Sequence, residues 1–265
     1  MTHDTMKIFA ALFCTMFFMT NTGFAQQNYF RSFDGVKITY TDEGFGEPVL
    51  LLHGFLNSGK SWDNTELKKD LLNKGYRVII PDLRGCGQSD KPQEESSYQD
   101  NAEVKDIKLL MTHLHAKNYN AIGYSRGSIV LAELLTEDPR IKKAVFGGMG
   151  IDFTNPKWDR RLAFAKAFNG EVSEMTKGAL DYARSINADF RSLYLQQKYQ
   201  PATPKEELSQ LNVKILVIAG NEDLDNGDPE ALKKILKKSK LVIVPGDHNG
   251  TWKTKAFSKE ILRFL

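Results

Sequence analysis

Two cysteines, Cys14 and Cys86, are all that the 265 residues contain. Cys14 falls in an N-terminal segment that reads as removable, which leaves one thiol and no internal disulfide, so cysteine usage permits an oxidising compartment without requiring one. No Cys/His spacing suited to zinc and no P-loop occurs, and neither a metal nor an organic cofactor is implied. No sign of charge prevails: 36 basic against 33 acidic residues leave a net charge of +3, too small a bias to imply nucleic acid. The local exception, Lys233, Lys234, Lys237 and Lys238, punctuates Ala231, Leu232, Ile235 and Leu236 as a solvated helix face would. A bilayer-spanning run is also missing, because the apolar stretch 8–19 is shorter than the ~20 residues that a crossing requires.

That stretch has another reading. Lys7 precedes it, and Gly23-Phe24-Ala25 places small residues where a signal peptidase reads, so residues 1–25 are expected to be a secretory signal with Gln26 as the new terminus. Met6 serves as well as Met1 for the start, and Phe13 ahead of Cys14 is too bulky for a lipoprotein signal. The expected address is periplasmic or secreted, with no stable membrane insertion after cleavage.

Beyond the leader, apolar patterns alternate between period two and a helical period. Strands are expected at 29–32 and 36–41, joined at Asp34-Gly35, then at 48–52, 76–80, from Tyr119, and at 141–147, 213–219 and 240–244. Helices are expected at 62–75, closed by Gly75, at 104–114, directly after Ser125, and at 228–238 and 254–265. Between 147 and 211 no strand pattern occurs. Helical stretches 156–168, 173–186 and 188–199 fill it, followed by a piece opened by Thr203 as N-cap and Pro204 in the first turn. The expected fold is α/β: a mostly parallel, doubly wound sheet of about eight strands with a helical lid inserted after the sixth. The core would then comprise 26–149 and 212–265, and the lid 150–211. In such a sheet chemistry gathers at the carboxyl ends of the strands.

The segments at those ends carry the informative residues. Gly123-Tyr124-Ser125-Arg126-Gly127 joins an apolar run to a helix-like row, so Ser125 sits on a sharp corner where side chains at 123 or 127 would collide with a neighbouring strand or helix. The Arg126 amide lies in the first helical turn, where N–H groups lack intrahelical partners and can meet an oxyanion. Gly220-Asn221-Glu222-Asp223 and Pro245-Gly246-Asp247-His248 follow two later strands. A serine hydroxyl needs an imidazole to take its proton and a carboxylate to orient that imidazole. His248 is the candidate base, and Asp223 the candidate acid; Glu222 and Asp225 lie beside it, and the spacing from Gly220 favours Asp223. His113 and His115 end a predicted helix and read as surface residues.

His53-Gly54-Phe55, Asp82-Leu83-Arg84-Gly85 with Gly87 and Ser89, the Ser125 pentapeptide, Gly220-x-x-Asp223 and Gly246-x-His248 follow successive strands, and in that order they resemble the α/β-hydrolases of the esterase and lipase type. The resemblance spans nearly all of the chain after the leader. It implies that the Phe55 amide is a second oxyanion donor opposite that of Arg126, and that His53 fixes its own loop. Asp82 and Arg84 are expected to form a structural ion pair. Ser128 stands where the family often has glycine. Arg126 stands where an uncharged residue is common, and is expected to pair with a carboxylate such as Asp152 or Glu222; its alternative role is to favour an anionic substrate.

These readings converge on a serine hydrolase that cleaves small carboxylic esters through an acyl-enzyme, with a small-molecule acyl substrate as its partner. Serine where dehalogenases and epoxide hydrolases of this fold carry aspartate argues against both chemistries. Lactonase, thioesterase, amidase and perhydrolase activities use the same triad and remain alternatives; a non-catalytic hydrophobic-ligand-binding protein is the rival from another class. Phe153, Trp158, Phe164, Phe168, Tyr182, Phe190 and Tyr194 make the expected lid aromatic, which suits either an apolar acyl pocket or packing onto the sheet.

Overall fold

Pro48–Leu52 (β3) is apolar throughout because both of its faces are covered. Leu50 and Leu52 point into one hydrophobic layer and Val49 and Leu51 into the other, and all four are fully buried. The first layer is closed by Ala102–His113 (α2), Arg126–Glu137 (α3) and Pro229–Ile235 (α8); the second is closed by Glu66–Asn73 (α1) and Lys255–Phe264 (α9). The computed structural model describes residues 27–265, so the expected leader and its cleavage point fall outside the described residues.

Eight strands form one sheet. Gln27–Arg31 (β1), Lys37–Glu43 (β2), Arg77–Pro81 (β4), Tyr119–Tyr124 (β5), Ile141–Gly147 (β6), Lys214–Gly220 (β7) and Ser239–Val244 (β8) join β3 in the order β1-β2-β4-β3-β5-β6-β7-β8. β2 runs antiparallel to both of its neighbours, and every pairing from β4 to β8 is parallel. Between β6 and β7 stand a short turn of 3-10 helix and four helices, Asp159–Phe168 (α4), Glu174–Ser185 (α5), Phe190–Lys198 (α6) and Lys205–Gln210 (α7).

Several local expectations need correction. The helical period from Trp62 breaks in two, because the Thr65 side chain accepts from the Lys68 amide at 3.3 Å and caps α1 separately from the 3-10 turn Gly59–Trp62. α8 stops at Ile235, since Leu236 is already extended and the Ser239 hydroxyl takes the Leu236 and Lys233 carbonyls. Pro204, not Thr203, is the N-cap of α7; the Thr203 hydroxyl instead donates to Glu133 at 2.7 Å. Asp82 and Arg84 do not pair. Asp82 accepts the amides of Gly59 and Gln88, both at 2.7 Å, while the fully buried Arg84 holds Asp106 through two nitrogens, at 2.8 and 2.7 Å, and Asp34 at 2.7 Å. Arg84 thus ties α2 and the β1–β2 turn to the loop after β4.

His53, buried at the end of β3, accepts from the Leu83 amide through Nε2 at 3.1 Å and donates from Nδ1 to the Gly54 carbonyl at 2.9 Å. Accepting at Nε2 requires the neutral ring, and burial holds its pKa below the ordinary 6.5.

Two outcomes follow from these buried groups. Asp106→Ala leaves Arg84 with Asp34 as its remaining carboxylate and is expected to cost about 3 kcal/mol in urea unfolding; a loss under about 1 kcal/mol would show that Asp34 and the Ser97 carbonyl suffice. His53 takes up a proton at lower pH in the folded chain than in the unfolded one, so stability falls as pH drops through the ordinary 6.5, by up to ~1.4 kcal/mol per pH unit. His53→Gln should lack that component, and equal slopes between pH 5.5 and 6.5 (roughly one unit below the ordinary value) would refute it.

Candidate active site

Ser125 joins β5 to α3 with φ 53° and ψ −121°, a conformation that L residues rarely adopt. Its amide donates to the Gly147 carbonyl at 2.7 Å, and the Ser128 hydroxyl donates to the same oxygen at 2.9 Å, so the end of β6 holds the corner in place. The flanking glycines are steric necessities. A Cβ at Gly123 would lie 2.5 Å from the Gly127 carbonyl carbon, and one at Gly127 would lie 2.3 Å from the Leu52 oxygen. Without them α3 could not approach β3 and β5, and Ser125 would not be lifted clear of the sheet.

The loops after β7 and β8 are pinned together. The Asn221 amide donates to the Val244 carbonyl at 2.8 Å, the Glu222 amide to the Gly246 carbonyl at 3.0 Å, and the Gly246 amide to the Asn221 side chain at 2.9 Å. Gly220 lets them meet, since a Cβ there would stand 2.1 Å from the Gly246 oxygen. This clamp sets Asp223 against His248. His248 Nδ1 lies 2.7 Å from Asp223 Oδ2, and its Nε2 lies 2.9 Å from Ser125 Oγ. The second oxygen of Asp223 accepts from Asn226 at 2.6 Å, and the carboxylate is almost wholly buried, whereas Glu222 and Asp225 are exposed. Geometry therefore joins the three expected residues and selects Asp223 over its neighbours.

Tyr124 is a site residue that the sequence pattern does not single out. Its hydroxyl donates to the His248 carbonyl at 2.7 Å, and its ring lies 5.4 Å from the imidazole, between His248 and Trp252. A motif position written as "any residue" carried no sign of this role.

Phe55, after β3, and Arg126, at the start of α3, line one cavity with Ser125, and among the described residues neither amide has a protein acceptor. The Arg126 side chain turns away from both Asp152 and Glu222. It pairs with Glu103 of α2, Nη1 standing 3.0 Å from Oε1 and Nη2 closer to Oε2, and donates to the Gln196 carbonyl at 3.2 Å. Burial favours this partner: the guanidinium is 3% exposed, and Glu103, at 5% exposed, is a carboxylate enclosed beside it.

A cavity of about 590 Å³ opens over Ser125 and His248. Phe153, Trp158, Phe164 and Tyr182 of the helical block line it, and of these Phe153 and Trp158 also pack onto the sheet's first layer; Phe168, Phe190 and Tyr194 instead pack inside the block and against Phe55, not onto the sheet. Cys86 offers no rival nucleophile, because burial pushes its thiol up to about 12. His113 stacks on Phe30 at the surface, and His115 follows α2 at φ 55°. Among the described residues no cluster of His, Cys, Asp or Glu is arranged to hold a metal, and no helix is long and apolar enough to cross a membrane.

The comparisons agree with this architecture. Residues 47–163 match the family model described as alpha/beta hydrolase fold. A provisionally named non-heme chloroperoxidase of Synechocystis sp. is 29% identical over 259 residues, covering 80% of this chain and 87% of that protein, and Lipase 1 of Psychrobacter immobilis is 27% identical, covering 80% and 66%. Among solved structures, an esterase from Exiguobacterium antarcticum superimposes with a TM-score of 0.77 over 90% of this chain and 99% of its own, at 20% identity. Strand order, the strained serine corner and these matches together show that the chain has the α/β-hydrolase fold.

Proposed function

We propose that this protein is a serine hydrolase that cleaves small carboxylic esters through an acyl-enzyme. The observation that carries the reading is the relay from Ser125 Oγ to His248 Nε2, 2.9 Å, and from His248 Nδ1 to Asp223 Oδ2, 2.7 Å. Ser125 Oγ bonds to the ester carbonyl carbon as its proton passes to Nε2; the tetrahedral intermediate collapses, the carbon–oxygen bond to the alcohol breaks, and the alcohol leaves with that proton. Water then gives a proton to His248, attacks the acyl carbon and displaces Ser125, which recovers the proton as the acid departs. Asp223 keeps Nδ1 protonated and offsets the imidazolium charge. The Phe55 and Arg126 amides meet the oxyanion, and losing one such donor typically costs ~3 kcal/mol.

The helical block acts as the lid in this reading, its aromatic side chains shaping an apolar acyl site. Lipase and esterase names among the relatives support ester cleavage. The chloroperoxidase name favours a second reading on the same triad, in which hydrogen peroxide replaces water in the second half-reaction and releases a peracid. The pattern of residues 1–25 supports a periplasmic or secreted address.

A fluorophosphonate is expected to add once to the folded wild-type protein, on Ser125, and not to Ser125→Ala, whose turnover of short p-nitrophenyl esters should fall at least ~1,000-fold. The intact mass of the labelled protein should begin at Gln26. Folded protein that takes no label would favour the ligand-binding alternative, and an unprocessed N-terminus would rule out the address. Asp223→Asn should lower kcat by ~1,000-fold or more, while Asp225→Asn stays within about twofold, as expected of an exposed side chain outside the relay; the reverse order would reassign the acid.

A further inference from the structure

Among the described residues three arginines are almost fully buried, and two of them have carboxylates. Arg84 has Asp34 and Asp106, and Arg126 has Glu103. Arg161, in the first turn of α4 and 8% exposed, has none among the described residues. Its guanidinium donates through Nη1 to the Pro201 carbonyl at 3.3 Å and through Nη2 to the Gln200 carbonyl. Both acceptors are neutral. Burial, reinforced by the nearby Arg126, pulls its pKa down to about 10, which still leaves it cationic at neutral pH.

The same side chain lines the cavity that holds Ser125 and His248. Arg126, Arg160 and Lys253 also line it, and no aspartate or glutamate does. Glu103 already answers Arg126, the Arg160 guanidinium lies 5.3 Å over the Phe164 ring, and Lys253 lies 5.0 Å over Trp252 at the exposed edge. Among the described residues, Arg161 is therefore the most buried cation of the cavity to lack a carboxylate. A buried charge of that kind is costly unless something of opposite sign joins it. Two of the five N–H donors of a guanidinium are used by the carbonyls, and its planar fork suits a carboxylate.

We infer that the acyl group of the substrate ends in a carboxylate, as in a half-ester of a dicarboxylic acid, and that Arg161 receives it within the cavity over Ser125. The inference rests on the serine-hydrolase reading for the scissile end of the substrate. Arg161 is then a specificity-determining residue: it touches the end of the acyl chain remote from the bond that breaks. A singly charged planar group is the better match than a phosphate, because Arg161 is the enclosed cation there and Ile129, Phe153, Trp158 and Phe164 supply apolar wall for the rest of an acyl chain.

The test compares mono-p-nitrophenyl glutarate with p-nitrophenyl 5-methylhexanoate, in which an isopropyl group of similar shape replaces the carboxylate. Wild-type protein is expected to favour the glutarate at least tenfold in kcat/KM. Arg161→Gln should lower that ratio at least tenfold, and Arg161→Lys should retain part of the preference, which a purely structural arginine would not predict. A wild-type ratio near or below one, or a ratio that Arg161→Gln leaves unaltered, overturns the inference. Should Arg161→Gln not fold, the wild-type ratio and the Arg161→Lys ratio decide between these outcomes. If Ser125 takes no fluorophosphonate and neither ester is cleaved, the hydrolase reading fails by itself. Calorimetric titration of glutarate into Ser125→Ala and into Ser125→Ala/Arg161→Gln protein then decides the anion site alone: binding weakened tenfold or more by the second substitution supports it, and equal or undetectable binding to both refutes it.

Discussion

The backbone of Ser125 sits where a side-chain-bearing residue rarely rests, and the surrounding structure holds it there. β5 delivers it, the Gly147 carbonyl takes its amide, and α3 begins immediately afterwards. The two glycines contribute by having no Cβ, which lets the first turn of α3 lie against the ends of β3 and β5. From that close approach come the half-buried hydroxyl facing the cavity, the unengaged Arg126 amide and the position of the cavity. A strained serine therefore also explains why the sheet and α3 are packed so tightly just there.

A second constraint is the management of buried charge. Arg84 and Arg126 reach carboxylates on the same helix, α2, and through them the loop after β4 and the start of α3 are fixed to one scaffold. The charge that Arg126 brings next to the nucleophile is thereby answered inside the protein. Arg161 enters from the helical block instead, where its acceptors are main-chain carbonyls. The asymmetry separates charges that hold the fold from one that faces the cavity.

Much of this was legible from pattern alone. β3 coincides with the apolar run 48–52, and Asp34-Gly35 lies in the turn between β1 and β2. Ser125, Asp223 and His248 all fall just after parallel strands, which is where an alternating strand and helix pattern directs attention. Errors gathered where one short-range signal competed with another: Thr65 splits a helical period by capping, and Thr203 looks like a cap but gives its hydroxyl to Glu133. The ion pairs were the least legible. Arg84 was assigned to Asp82, two residues away, yet its partners are 22 and 50 positions distant, and nothing in the local sequence around Glu103 announces Arg126.

The linear order of residues determined the alternation of strands and helices, the corner at Ser125 and the kinds of side chain placed after each strand, because these depend on local periodicity and on the sterics of glycine. Only the folded chain decided which carboxylate meets His248, which acid answers each buried arginine, and that Tyr124 braces the imidazole. Those choices turn on distances of about 3 Å between groups from 22 to 124 positions apart, or on which of three adjacent acids points inward. Packing sets such distances, and residue spacing along the chain does not encode them.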